Sequence, residues 1–185
     1  MKKIKKKEVL IAGGTGFIGF HLAKKCLSAG MSVTSISTKY PRKDRKLRGI
    51  KYLMCDLFNK KKLQKLFKKN YDFVVNLGGY VDHNNKKKTH NSHYIGCKNL
   101  SNILLKKKII NFIQMGSSSE YGKLPSPHDE KKSASPQSIY GKSKYSATKH
   151  LLNLYKKKKI SSDSLKIISS LWTRTRHQSS DTFYN

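Results

Sequence analysis

Two periods of hydrophobic patterning alternate along this chain. Short runs rich in apolar and β-branched residues recur at Val9–Ala12, Met31–Ile36, Ile50–Met54, Tyr71–Leu77, Ile109–Met115 and Leu165–Leu171. The apolar stretches among them, Val9–Ala12, Phe73–Val75, Ile109–Ile113 and Leu165–Ile168, fit buried strands. Between them the spacing turns helical. Leu22, Ala23, Cys26 and Leu27 fall on one face and are followed by Gly30 as a C-terminal cap; Leu63, Leu66 and Phe67 mark a second helix. A longer helix is predicted over Thr89–Leu105, with Ile95, Asn99, Ile103 and Leu104 inward, and another over Ile139–Tyr155. Strand and helix in strict alternation predict an α/β fold. The sheet is parallel and doubly wound, covered on both faces as three α/β/α layers with right-handed crossovers. Such sheets take ligands at the carboxyl ends of their strands, beside the switch in strand order.

The polar residues that interrupt the pattern cluster at those strand ends. After the first strand come Gly13, Gly16 and Gly19, spaced three apart and opening a helix, with Thr15, Phe17 and Ile18 among them. The first glycine permits a tight turn, the second lets a pyrophosphate approach the backbone, and the third lets helix and strand pack closely. The second strand ends at Ser37, where an acidic residue would receive the ribose hydroxyls of NAD; Ser37, Thr38, Lys39 and Arg42 stand there instead. That set suits a ribose 2′-phosphate and favours NADP over NAD. Asp56, closing the third strand, is placed to accept from an adenine amino group.

Tyr140 and Lys144 lie one helical turn apart. A phenol with a pKa of about 10 is a poor base at neutral pH, and an ammonium one turn away stabilises its phenolate. Ser117, at the end of the fifth strand, is suited to hydrogen-bond a substrate oxygen near Tyr140. Alone, a tyrosine–lysine pair at this spacing is an ordinary helix surface; behind a glycine-triplet domain it gains meaning.

Together these residues make the chain resemble the extended short-chain dehydrogenase/reductase family of nucleotide-sugar epimerases, dehydratases and ketoreductases. The matching segments are Gly13 through Gly19, Asp56-Leu57, Asn76-Leu77-Gly78-Gly79, Ser117 through Gly122, and Tyr140 with Lys144. The resemblance implies a Rossmann-type fold that binds NAD(P), with Leu57, Leu77, Gly78 and Gly79 joining the glycine loop around the cofactor. It implies Tyr140 as acid/base, Lys144 lowering its pKa and holding the nicotinamide ribose, and Ser117 orienting a nucleotide-sugar substrate, with Ser118 as its substitute. Dehydratases of the family carry an acidic pair directly after the serine or threonine. Here Ser118 and Ser119 occupy those places and Glu120 comes one place late, which favours epimerisation or ketone reduction over elimination. Members commonly pair as homodimers, and no metal is implied.

Composition changes the picture in one respect. The chain of 185 residues carries a formal charge of +30 with 36% hydrophobic residues and a mean hydropathy of −0.65. The excess sits in blocks such as Lys60–Lys62, Lys86–Lys88 and Lys156–Lys159, at predicted helix ends and in loops. Such blocks are solvated surface, and without a nucleic-acid-binding signature they predict no nucleic-acid partner. Their field attracts anionic substrates in general. Cys26, Cys55 and Cys97 are far apart, as expected of reduced thiols in a cytoplasmic protein. The basic N-terminus precedes too short an apolar run for a signal peptide or membrane span.

The last residues break the pattern. The dinucleotide-binding domain is expected over 1–171, whereas 172–185 show neither period where the family continues through a Tyr-Gly-Pro loop into a substrate domain. Codons for Trp172–Asn185 can be written whose neighbouring frame, prefixed by TA, reads Tyr-Gly-Pro-Gly-Gln-Asp-Ile-Asn-Arg-Leu-Ile-Pro-Phe-Ile. This predicts a frameshift near Ser169–Leu171, a substrate domain missing from the chain, and loss of activity on nucleotide sugars.

Overall fold

The computed structural model describes residues 5–107, 109–123, 134–157 and 165–168. Six strands form a single parallel sheet: β1 (Glu8–Ala12), β2 (Ser32–Ser37), β3 (Lys51–Met54), β4 (Phe73–Asn76), β5 (Asn111–Met115) and β6 (Leu165–Ile168), in the order β3-β2-β1-β4-β5-β6. The order reverses between β1 and β4, where Ala12 lies opposite Asn76, so the turns leaving these two strands open side by side. This is the predicted doubly wound architecture, and its switch point lies beside the glycine loop.

Helices α1 (Phe17–Ser28), α2 (Lys60–Leu66), α3 (Lys86–His90), α4 (Gly96–Leu104) and α5 (Ile139–Lys156) cover the two faces. Strand side chains alternate between faces. On β1, Leu10 and Ala12 join a large core with Leu63, Leu100, Phe112 and Leu151, while Val9 and Ile11 join a smaller one with Ala23, Val33 and Val75. The inward positions read for the first two helices are packed in these cores, and Asn99, Ile103 and Leu104 of the third are covered as expected, whereas Ile95 is half-buried and joins neither core.

Element ends shift by a residue or two from the predictions, as strand ends set by neighbours do. The long helix differs more. It begins earlier, at Lys86, where the Asn85 side chain accepts the Lys88 N–H at 2.9 Å, and it is interrupted by a wide π turn over Asn91–Ile95. There the Gly96 N–H reaches back five residues to the Asn91 carbonyl. Such turns accommodate one extra residue and recur at functional positions. The predicted sixth strand is seen over Leu165–Ile168; its last residues and the 172–185 tail lie outside the described residues. Among the described helices none is long and apolar enough to cross a membrane.

Candidate functional site

The turn after β1 is built for close approach. Gly13 sits at φ 78°, a left-handed conformation, and a Cβ there would lie 2.8 Å from the Leu77 carbonyl oxygen. Its N–H donates to Ile36 O at 2.8 Å, and Gly16 N–H returns to Gly13 O at 3.0 Å. Gly19 is buried against this turn: a Cβ there would meet Gly13 O at 2.3 Å. The N-terminus of α1, capped by Gly16, carries no side-chain cap and no acidic residue in its first turn. Its N–H groups and positive dipole end fit a phosphate.

From this turn a cleft of about 490 Å³ runs along the strand ends to Tyr140. Gly13, Thr15, Gly16, Ser37, Asp56, Leu57, Leu77, Gly78 and Gly79 line it as the sequence suggested. The Thr15 N–H donates to Ser37 Oγ at 3.3 Å, and Asp56 Oδ1 accepts the Phe58 N–H at 2.9 Å. Phe17 and Ile18 are exposed at the head of α1, with the Arg45 guanidinium 5.8 Å from the Phe17 ring centroid. Lys39 and Arg42 are exposed and outside the described lining; Arg42 faces Asp44 at 3.5 Å. Thr38, from the set read at the end of β2, also lines the cleft, and so do Tyr80, Val81, His83, Ser92 and His93, which sequence spacing did not single out as site residues.

Ser117, just past β5, and Lys144, one turn along α5 from Tyr140, meet at the carboxyl end of β5; neither is among the residues that line the cleft. Ser117 is buried and caps a short turn, Ser118–Glu120: its Oγ accepts the Ser119 N–H at 3.2 Å, which leaves its own hydroxyl hydrogen to donate. Glu120 closes the cap by accepting the Ser117 N–H at 2.8 Å. Lys144 is buried, and its ammonium donates to the Met115 carbonyl, two residues before Ser117. Burial lowers the Lys144 pKa, against the opposing pull of the Glu120 carboxylate and the Cys97 sulfur.

A buried polar line ties this corner to the cofactor side. Gln114 Nε2 donates to the same Met115 carbonyl at 2.9 Å, Asn76 Nδ2 donates to Gln114 Oε1 at 2.7 Å, and Asn76 Oδ1 accepts the Gly78 N–H at 3.1 Å. Cys97 donates to Gln114 Oε1 at 3.2 Å and, with burial raising its pKa to about 12, remains a thiol. Burial, reinforced by the Lys144 charge, pushes the His93 imidazole down to about 4, so it is neutral at pH 7.

The NAD dependent epimerase/dehydratase family model matches residues 9–169, which includes every residue of this cleft. The chain belongs to that family. It is an enzyme family, and this chain carries its Rossmann-type half. A curated relative, the bifunctional UDP-glucose 4-epimerase and UDP-xylose 4-epimerase 1 of Pisum sativum, is 27% identical over 158 residues, covering 75% of this chain and 45% of the relative. Among solved structures, the UDP-Glc/GlcNAc 4-epimerase of Campylobacter jejuni superposes with a TM-score of 0.78 at 20% identity, over 88% of this chain and 53% of that one. The Bordetella bronchiseptica enzyme WbmG, solved with NAD and UDP, superposes with a TM-score of 0.75 at 18% identity, over 89% and 52%. The chain spans about half the length of these relatives.

Proposed function

We propose that this chain is the dinucleotide-binding part of a nucleotide-sugar epimerase or 4-ketoreductase, with Ser117, Tyr140 and Lys144 as its reacting corner. One observation carries the reading: a single cleft joins the glycine turn, where a pyrophosphate fits, to the ring of Tyr140. A bound nicotinamide supplies the hydride acceptor and donor. The chain's own residues handle position and protons. Gly13 and Gly16 cradle the pyrophosphate, and Asp56 meets the adenine. Tyr140 exchanges a proton with the sugar oxygen, Lys144 supplies a cation one turn along the same helix, and Ser117 donates to the same oxygen. The pea relative and the Campylobacter neighbour, both named as UDP-sugar 4-epimerases, support the substrate class.

Lys39 and Arg42, with no carboxylate before Asp44, support NADP as the preferred cofactor. The three free thiols support a reducing, cytoplasmic setting. A homodimer and the 1–171 domain boundary complete the proposal. A titration of the purified chain with NADH and NADPH, followed by nucleotide fluorescence, tests it. Binding of neither nucleotide by a folded chain defeats the reading, and Tyr140→Phe is expected to spare binding.

A further inference from the structure

Two imidazoles bracket Tyr140, and the roles assigned above use neither. His83 lies stacked on the phenol ring, with centroids 4.2 Å apart and planes inclined by 14°. His93 meets the same ring edge-on at 4.9 Å, and the two imidazoles contact each other at 5.9 Å. They come from different places: His83 from the loop between β4 and α3, His93 from the wide turn between α3 and α4. All three rings line the cleft.

The loop that carries His83 has few anchors of its own. Val81 is 92% exposed, and the Asn84 N–H turns back to Asp82 Oδ1 at 3.1 Å. The body holds this loop through the same two imidazoles. His93 Nε2 lies 3.2 Å from both the N–H and the carbonyl oxygen of Tyr80, accepting from the one or donating to the other according to its tautomer, and the His93 ring fits flush beneath Gly79, where a Cβ would fall 2.5 Å from its Cε1. His83 supplies the second fastening by lying on Tyr140. His93 Nδ1 is buried and has no partner among the described residues, so the ring is held by shape and by one bond.

We propose that His83 and His93 form a clamp that fixes Tyr140 and the 79–85 loop at the nicotinamide end of the cleft, with His83 as the positioning residue for the phenol. This deepens the dinucleotide reading and rests on it. Because the dinucleotide reading sets Tyr140 beside the nicotinamide, the stacking of His83 on that ring acts on the ring half of a dinucleotide and not on the adenosine diphosphate half. Aromatic pairs of this kind favour the ordered arrangement by about three- to ten-fold.

The test titrates the chain, His83→Ala and His83→Phe with NADH, NADPH and ADP. His83→Ala is expected to weaken both dinucleotides by about three- to ten-fold while leaving ADP affinity unchanged in a chain that still folds, because His83 is exposed. His83→Phe keeps a stacking ring and is expected to restore dinucleotide affinity. Dinucleotide binding that is unchanged or tighter in His83→Ala, an equal loss for ADP, or no rescue by phenylalanine overturns the clamp while leaving the cofactor reading intact. A parent chain that binds none of the three nucleotides overturns the cofactor reading, and the clamp with it.

Discussion

Glu120 accepts the hydroxyl of Thr148 at 2.8 Å with one carboxylate oxygen, while its other oxygen accepts the Ser117 N–H. Each oxygen therefore holds one bond inside the protein, in a residue only 7% exposed. The residue braces the serine turn against α5, and so sets the distance between Ser117 and the helix that carries Tyr140. Its place in the sequence, one residue late for an elimination acid, matches this structural employment. Glu120→Ala leaves the Ser117 N–H and the Thr148 hydroxyl unpaired. It is expected to cost about 2–4 kcal/mol of stability, read as a lower urea midpoint at unchanged slope.

The neutral imidazole of His93 makes stability pH-dependent. Its folded pKa of about 4 lies below the ordinary 6.5, so the unfolded chain binds the extra proton between those values. Stability from this group is complete above pH 6.5 and declines as the pH falls towards 4, by on the order of 2 kcal/mol. His93→Asn removes the titrating ring. Its unfolding midpoint is expected to fall less between pH 7 and pH 4 than that of the parent; parallel curves would contradict the assignment.

At the glycine turn the expected outcome is steric. A Cβ on Gly19 meets Gly13 O at 2.3 Å and Gly14 Cα at 2.6 Å, and both are backbone atoms that cannot swing aside. Gly19→Ala is expected to displace the head of α1 at a cost of about 1–3 kcal/mol. Dinucleotide affinity should fall about tenfold or more, measured by NADH fluorescence.

Cofactor choice is a matter of charge at the end of β2. If Lys39 and Arg42 hold a 2′-phosphate, Lys39→Ala and Arg42→Ala each weaken NADPH several-fold and leave NADH unchanged. The difference should shrink with added salt, because both side chains are exposed. Arg42 must first leave Asp44, so Asp44→Asn is expected to tighten NADPH binding. Equal effects on the two cofactors would remove these cations from the specificity argument.

How much of this was legible beforehand follows from range along the chain. Strand and helix identities came from local periodicity, and the glycine turn from spacing within seven residues; both reappear in the sheet order and in the packing of Gly13 and Gly19. The imidazole pair was not legible. His83 and His93 sit on different elements, and both reach Tyr140 across dozens of residues through a fold that spacing does not encode. Nor was the wide turn at Asn91–Ile95, since the residues that set the helical rhythm, Ile95, Asn99 and Ile103, lie at its end and beyond it. The pairing of Arg42 with Asp44 was short-range but conformational, set by a turn that the sequence leaves open.

The wide turn lets one rod of helix address two audiences. An α-helix advances about 100° per residue, so an extra residue in an unbroken spiral would rotate all that precedes it by that angle; the wide turn absorbs the residue and spares both flanks that rotation. His93 thereby looks into the cleft, while Cys97, Leu100 and Leu104 keep facing the sheet. Excising Ser92 alone would remove the extra residue and restore a uniform spiral with Lys86–His90 and the downstream residues both left seated, at the expense of the widened turn that carries His93 into the cleft.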